Sequence, residues 1–402
     1  MMKTVTLEQK KRARIFLIVY AAYMAVYVAR VNLSVAGPVL KTLSILDSAQ
    51  IGILGSCFFV VYALGRVVNG SLSDTTPPCV MICTGLLLSG LSNICFSFFP
   101  SFAAMCVFWT LNAYAQSMLW SSILCTITAV YEKEQEKSRA SLMVTSVAAG
   151  NIAGILINSW LLKRAAVRFA FLIPGILSIL LAMAVFLSIR NIRAPASAQK
   201  THDPILKPLQ NKELRGMSII AMTHSVMKEN VSLWMAVYVV DTYCVDLTDS
   251  ALSILLIPCI GFIGRIIYPL LFRLFREKEN RVSLLGFLLC AAGSLVLLLR
   301  AHGVLPSALA LGVIYMAASL VNTSVVSVYP MSEQYARSGN TASVSGMLDF
   351  ATYLGAGLSS SAYGLLITAF GYKPMFFSWA VISVISIIIL TGKKANHYED
   401  LR

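Results

Sequence analysis

The chain has 402 residues, of which 57% are hydrophobic and 12% are charged, and its mean hydropathy is +0.76. These proportions exclude a soluble globular domain, in which about a quarter of the residues are charged. The formal net charge of +14 raises the question of nucleic-acid binding, but the sequence has no basic module interleaved with aromatic residues. The composition therefore predicts an all-α membrane protein that binds no nucleic acid.

Twelve apolar segments are long enough to cross a bilayer, for which a helix needs about 20 residues. They lie at 15–37, 50–72, 79–99, 103–130, 140–162, 168–189, 216–240, 250–272, 282–300, 306–329, 341–369 and 374–392. Residues 1–14 are basic and continue into the first segment without a small-residue cleavage site. We interpret them as a cytoplasmic tail and not as a signal peptide.

The positions of lysine and arginine predict the orientation. If both termini are cytoplasmic, the inner segments hold 22 of the 32 basic residues, the outer loops hold 6 and the spans hold 4. Because these residues concentrate in short cytoplasmic loops, we predict a multi-pass protein of the cell membrane with both termini inside. We expect a monomer whose only large partner is the lipid bilayer.

The longest hydrophilic stretch, 191–215, divides the chain almost in half. It predicts a cytoplasmic linker between an N-terminal six-helix half, 1–190, and a C-terminal six-helix half, 216–402. The nine cysteines lack the paired spacing of a metal site, so we expect free thiols and no metal or other cofactor.

The first apolar segment contains a full positive charge, Arg30. At about 100° per residue along a helix, Tyr20, Tyr23, Tyr27 and Arg30 share one narrow face. A charge at the centre of a bilayer costs about 2.5–3.5 kcal/mol, so such residues usually face a protein interior or a water-filled cavity. We interpret Arg30 as a ligand for an anion, and the alternative is an ion pair with a carboxylate elsewhere in the bundle.

The two halves carry matching features. Arg66 in the second span and Arg265 in the eighth are 199 positions apart, and each span follows a predicted N-cap aspartate, Asp47 or Asp249. The position 199 after Arg30 falls in the seventh span, next to Lys228. Two halves with intramembrane cations at matching depths are typical of carriers with a central site at the repeat interface.

Several stretches match one known family. They are Tyr20-Ala-Ala-Tyr23, Tyr27-Val-Ala-Arg30-Val-Asn32, Gly70-Ser-Leu-Ser-Asp74, Gln116-Ser-Met-Leu-Trp120, and Gly346 with Tyr353-Leu-Gly-Ala-Gly357. These stretches resemble the organophosphate:phosphate antiporter family of the major facilitator superfamily, which includes carriers of glycerol 3-phosphate and hexose 6-phosphate. The resemblance covers nearly the whole chain and implies twelve transmembrane helices in two six-helix halves with pseudo-two-fold symmetry.

The resemblance also implies roles for individual residues. Arg30 matches the first-span phosphate arginine of the family, and aromatic or basic residues of its cavity match Tyr23, Tyr27, Tyr62, Arg66, Trp120 and Tyr353. Two positions depart from the family. Its second phosphate arginine aligns with Lys228, which offers a point charge in place of a planar fork, and its fifth-span histidine aligns with Gly150. These departures weaken the case for phosphate but not for an anion.

Other interpretations of these residues remain open. Arg66 lies near a predicted span end and can extend to lipid headgroups. The tyrosines and Trp120 can be ordinary packing residues, and Asn112, Gln116 and Asn322 can join helices through hydrogen bonds. His224, one turn before Lys228, is read as a hydrogen-bonded core residue.

Two intramembrane carboxylates, Glu229 and Asp349, complicate a strict exchange mechanism and are also the candidates for an ion pair with Arg30. A site that contains only cations resists closing when empty, whereas a carboxylate that pairs with Lys228 lowers that barrier. We therefore assign Glu229 and Asp349 a coupling role, with proton-coupled symport or uniport as the hypothesis.

The sequence predicts a secondary active transporter of a small organic anion, preferably a phosphate ester or inorganic phosphate, in which Arg30 and Lys228 bind the anion. The first alternative is a carboxylate or sugar-acid transporter of the same fold. The second is a membrane sensor that binds a phosphorylated metabolite without transporting it. An enzyme is disfavoured because the sequence shows no nucleophile with a base, phosphate loop or metal cluster.

Overall fold

The computed structural model describes residues 2–73, 75–98, 101–192, 211–299, 303–332 and 341–399. Its helices are α1 (Met2–Thr42), α2 (Ser48–Leu72), α3 (Pro78–Phe98), α4 (Phe102–Ser117), α5 (Leu119–Val130), α6 (Lys133–Arg164), α7 (Phe169–Ile189), α8 (Lys212–Tyr243), α9 (Leu247–Leu274), α10 (Glu279–Leu298), α11 (Val304–Asn322), α12 (Thr341–Phe370) and α13 (Lys373–Glu399). Most of the predicted linker, and Asp74 of the Gly70 motif, lie outside the described residues.

The all-α prediction is confirmed, and each predicted span coincides with a helix or with consecutive helical segments. The fourth span is divided at Met118 into α4 and α5. The tenth span begins as α11 and continues through a π-helical segment, Thr323–Val328, into a 3₁₀ turn, Tyr329–Met331. Such π-helical segments occur frequently at functional sites.

In the described part of the chain, nine helical segments are long and apolar enough to cross a membrane. The predicted spans that do not meet this criterion are the fourth (α4 and α5), the seventh (α8) and the eleventh (α12). These spans carry the candidate polar groups Asn112, Gln116, Lys228, Glu229 and Asp349. The fourth span misses the length criterion because it is divided into α4, of 16 residues, and α5, of 12 residues. For α8 and α12, the polar groups lower the hydropathy, which is consistent with helices that turn polar side chains toward protein.

The helix starts follow local hydrogen bonding. Asp47 accepts a hydrogen bond from the Gln50 backbone N–H at 2.7 Å, and the Gln50 side chain accepts one from the Asp47 N–H at 3.0 Å. This reciprocal capping box confirms Asp47 as the N-cap of α2. The prediction for Asp249 is wrong, because α9 begins at Leu247 and places Asp249 inside its first turn, with Asp246 at the N-cap position.

The protein is composed of two compact units. Unit 1 contains 1–39 and 61–201, and unit 2 contains 40–60 and 202–402. The helices α1 and α2 therefore each contribute residues to both units. The division into halves at 190 and 216 remains a prediction.

Unit 1 is built around α3, which packs against α4, α5 and α7, while α6 contacts α5 and α7. Its apolar core combines one face each of α1, α3, α5, α6 and α7, and the buried members include Val19, Ile82, Ile123, Met143 and Val185. These faces leave the polar side chains of α1, α3 and α4 to meet each other.

In unit 2, α8 packs against α11 and α12, α11 packs against α9, and α10 packs against α11 and α13. The first half of α2 lies directly on α12. An added Cβ at Gly52 would be 2.5 Å from the Ser360 carbonyl oxygen and 2.8 Å from the Gly364 Cα. Glycine is required here because the two backbones occupy the space of a side chain.

Candidate functional site

Aromatic rings surround the Arg30 guanidinium group in unit 1. Its central carbon lies 4.7 Å from the centre of the Tyr27 ring, one turn earlier on α1, and 4.5 Å from the centre of the Tyr62 ring on α2. Both distances are in the range of cation–π attraction. The helical spacing predicted the Tyr27 contact, whereas the Tyr62 contact depends on how α2 packs in unit 1.

A chain of buried amides orients Arg30 from the other side. Arg30 Nε donates to Gln116 Oε1 at 3.0 Å, and Gln116 Nε2 donates to Asn112 Oδ1 at 3.1 Å. Asn112 Oδ1 also accepts a hydrogen bond from the Ser89 hydroxyl at 2.6 Å. Gln116, Asn112 and Ser89 are each 0% exposed, so these bonds replace water that cannot reach the groups.

The chain of hydrogen bonds continues to a contact between α1 and α3. Asn93 Nδ2 donates to the Ser89 carbonyl at 3.0 Å, and Asn32 Nδ2 donates to Asn93 Oδ1 at 2.8 Å. The helical spacing of Asn112 and Gln116 identified these two residues from the sequence, whereas Ser89, Asn93 and Asn32 were not predicted. Polar residues within apolar spans were the signal that could have identified them.

Tyr23 extends the aromatic surface along α1. Its ring centre is 5.4 Å from that of Tyr27 and 5.2 Å from that of Trp120 at the start of α5. The structure therefore brings together five of the six site residues that the sequence predicted in unit 1: Tyr23, Tyr27, Arg30, Tyr62 and Trp120. The sixth, Arg66, lies one turn after Tyr62 on α2.

Gly150 of α6, which aligns with a histidine of the resembling family, lies against the backbone of α1. An added Cβ would be 2.5 Å from the Met24 carbonyl oxygen and 2.7 Å from the Tyr27 Cβ. A histidine cannot occupy this space without separating α6 from α1. Because Gly150 has no side chain, α6 packs directly against α1 at Met24 and Tyr27.

In unit 2, Lys228 and Glu229 form an ion pair with each other, in which Lys228 Nζ donates to Glu229 Oε1. Their side chains are 11% and 10% exposed. Consecutive helix residues point about 100° apart, so the two side chains bend toward each other to make this contact. From the sequence, either Glu229 or Asp349 could pair with Lys228, and Glu229 forms an ion pair with it.

His224 and Asn322 meet beside this pair. His224 Nε2 is 3.1 Å from Asn322 Oδ1, and its Nδ1 is 3.1 Å from the Ile220 carbonyl oxygen. His224 is 0% exposed and hydrogen-bonded on both ring nitrogens, as in the core interpretation. Asn322 is the last residue of α11 before the π-helical segment, so it contacts α8 where the helix geometry changes.

The last two predicted residues lie on α12. The Tyr353 ring stacks on Phe59 of α2 with ring centres 6.4 Å apart and an angle of 24°. Asp349 is half-buried one turn earlier on the same helix. Among the described residues, no group of three or more histidine, cysteine, aspartate and glutamate side chains is arranged to hold a metal ion.

A polar cluster that the sequence did not predict lies in unit 2 at the end of α8. Asp241 Oδ2 accepts hydrogen bonds from Lys41, in the last turn of α1, and from the Tyr372 hydroxyl at 2.7 Å. Burial and the nearby Asp241 carboxylate raise the pKa of Tyr372 above its ordinary value. The three residues come from distant parts of the sequence, so no local sequence pattern predicts their contact.

Comparison with known proteins gives a consistent family. The sequence model of the Major Facilitator Superfamily matches residues 19–358. A "Probable hexose phosphate transport protein" of Chlamydia muridarum is 26% identical over 290 residues, which cover 64% of this chain and 63% of that protein. The "Membrane sensor protein UhpC" of Salmonella typhimurium is 24% identical over 94% of this chain and 90% of its own length.

The fold has relatives among solved structures. The nucleoside transporter NupG superposes with a TM-score of 0.76 at 13% identity over 95% of this chain and 98% of that structure. At this identity the similarity shows the fold alone. The names of the sequence relatives confirm the resemblance to the organophosphate:phosphate antiporters. The matched region covers most of the chain, and the protein belongs to the Major Facilitator Superfamily.

Proposed function

We propose that this protein is a secondary active transporter of a small organic anion, with phosphate esters and inorganic phosphate as the preferred substrates. The observation that carries the proposal is the surroundings of Arg30. Two aromatic rings and an amide oxygen hold its guanidinium group inside a helical unit, at 4.7, 4.5 and 3.0 Å. A guanidinium group offers a planar set of donors that suits phosphate and carboxylate oxygens.

The relatives support the substrate class. Their names include hexose phosphate, glycerol-3-phosphate and phosphoglycerate transport. This chain spans 63% of the first chlamydial hexose phosphate relative and 40% of each of two others. The substrate of this chain therefore remains part of the proposal.

The remaining site residues receive roles within the same proposal. Arg30 binds the anion, and Lys228 is the basic residue assigned to anion binding in unit 2. The residues assigned to lining the site or hydrogen-bonding the substrate are Tyr23, Tyr27, Tyr62, Arg66, Trp120, Asn322 and Tyr353. Glu229 and Asp349 are assigned to coupling, and the halves 1–190 and 216–402 to the alternating motion.

The test is uptake of labelled hexose 6-phosphate into vesicles that contain the purified protein. Arg30→Ala is expected to abolish binding and uptake while the protein still folds and inserts. Arg164→Ala, which removes an arginine that stacks on Trp160 at 5.2 Å, is the control and should transport normally. Uptake at the wild-type rate by the Arg30 variant would refute the proposal.

The same vesicles separate the alternative functions. Competition by organic acids, without competition by phosphate esters, would indicate a carboxylate or sugar-acid transporter. A sensor is the alternative favoured by the relatives named UhpC, one of which covers 94% of this chain. Binding of hexose 6-phosphate without flux would support that assignment over transport.

We also propose that the protein resides in the cell membrane as a monomer with both termini in the cytoplasm. Cys244, at the end of α8, is exposed, and this orientation places it outside. A membrane-impermeant maleimide should label intact cells that express the protein, and Cys244→Ser should abolish most of this labelling. Light scattering of the purified protein measures its molar mass and so tests whether it is a monomer.

A further inference from the structure

The contact between Lys228 and Glu229 joins two consecutive helix residues that helix geometry directs about 100° apart. Both side chains must bend toward each other, and both are about nine-tenths buried. A buried charge without a partner is strongly destabilising, so the Glu229 carboxylate stabilises the buried Lys228 ammonium group while no additional anion is present. The pair therefore neutralises the Lys228 ammonium group internally.

The surrounding groups leave Glu229 as the direct counter-charge of Lys228. Arg265 of α9 and Tyr315 of α11 interact electrostatically with Lys228, and His224 is one turn away on α8. The helix α12 carries Asp349 and Tyr353. The helix α13 has no titratable side chain between Pro374 and Gly392. Of these groups, the Glu229 carboxylate is the one that contacts the ammonium group.

An anion that binds Lys228 must compete with this carboxylate. If both negative groups remained close to each other in a poorly solvated site, their repulsion would oppose binding. A proton on Glu229 removes the repulsion and releases the ammonium group. With a monovalent anion, the addition of one negative charge and one proton leaves the total charge of the site unchanged.

We propose that Lys228 and Glu229 couple anion binding to proton uptake: the anion replaces the Glu229 carboxylate at Lys228, and the displaced carboxylate takes one proton from water. Release of the anion reverses both steps and returns the proton to water. This inference rests on the proposed anion transport and adds to it that anion and proton move together in the same direction. The protein is then a symporter, able to transport without an internal exchange anion.

Binding measurements test the linkage directly. Calorimetric titration of the purified protein, in buffers that differ in ionisation enthalpy, counts the protons taken up per ligand. The probes are hexose 6-phosphate and hexose 6-sulfate, a monoanion that takes no proton near neutral pH. We expect the wild type to take up about one proton with the sulfate, and its Kd to rise about tenfold for each unit of increase in pH.

Variants identify the group that takes the proton. Glu229→Gln should bind the same probes without the proton that Glu229 takes up in the wild type. Its Kd for the sulfate should not change with pH. Glu132→Gln removes a carboxylate that pairs with Arg12 at 3.2 Å and serves as the matched control, which should keep the wild-type proton count. If only the phosphate binds, the difference between wild type and Glu229→Gln gives the protein's share of the protons.

Flux measurements complete the test. In vesicles without an internal anion, an inward proton gradient should accelerate wild-type uptake of hexose 6-phosphate and leave uptake by Glu229→Gln unchanged. Binding by the wild type without proton uptake, or an equal proton count for Glu229→Gln, would overturn the coupling and leave anion transport intact. If Glu229→Gln does not fold, the wild-type proton count with the sulfate decides. Failure of every probe to bind the wild type would refute both proposals.

Discussion

The bond between Gln116 and Arg30 allows a direct test of whether the position of the guanidinium group determines anion affinity. Leucine at position 116 would keep the apolar part of the side chain and remove both the acceptor for Arg30 Nε and the donor to Asn112. Arg30 would keep its charge and its contacts with Tyr27 and Tyr62. The variant Gln116→Leu therefore removes orientation without removing the charge.

The size of the effect follows from the hydrogen bond. A bond to a charged group contributes about 1.5–3 kcal/mol, and each 1.4 kcal/mol is a tenfold change in an equilibrium constant. Because the bond exists without ligand, part of this free energy is lost as folding stability. The remainder appears as affinity, since Arg30 must then be ordered when the anion binds. We expect the Kd for hexose 6-phosphate to rise about tenfold and the melting temperature to fall.

Calorimetry and thermal unfolding of the same purified sample measure both quantities. Asn158→Leu is the matched control, because Asn158 is a buried amide of α6 that donates to the Gly154 carbonyl of its own helix at 2.8 Å. We expect this control to lose stability and to keep its affinity. An unchanged Kd for Gln116→Leu, in a protein that still binds the ligand, would show that Gln116 does not orient Arg30.

Of three further predictions, two concern close packing at glycines and one concerns the proton of the Tyr372 hydroxyl. Gly150→Ala should displace Tyr27, cost about 1–3 kcal/mol and weaken anion binding measured by calorimetry. Gly52→Ala should lower the free energy of unfolding by a similar amount, and with it the melting temperature, because it separates α2 from α12. Gly70→Ala, where no described atom lies within 4 Å of the added Cβ, should raise the melting temperature slightly. Because the pKa of Tyr372 is raised, its hydroxyl should stabilise the fold below pH ~10 and lose this contribution as pH rises through the raised value. Tyr372→Phe should therefore lower the melting temperature equally at pH 6 and pH 9, and a difference that disappears by pH 9 would contradict the contact.

Much of the fold could be predicted because bilayer thickness restricts the length and composition of each span. The apolar segments located the helices, and the spacing of Tyr23, Tyr27 and Arg30 placed them on one face of α1. The error at Asp249 arose from the same local reasoning. Either Asp246 or Asp249 can precede a helix, and the start of α9 depends on three-dimensional context that a cap pattern does not contain.

The contacts that define the site required the tertiary structure. From the sequence, either Glu229 or Asp349 could pair with Lys228, whereas the packing around α8 buries Lys228 and Glu229 and joins these two in an ion pair. The meeting of Lys41, Asp241 and Tyr372 joins residues up to 331 positions apart in the chain. Such contacts depend on how helices pack, and hydropathy carries no information about packing partners.

The sequence by itself determined that this is a helical membrane protein with a cation in its first span, because a long apolar segment has few stable alternatives to a helix in lipid. Only the tertiary structure decided which groups surround that cation and which carboxylate neutralises Lys228. The physical reason is distance. Hydrogen bonds and ion pairs act over about 3–4 Å, so a small change in helix packing exchanges one partner for another.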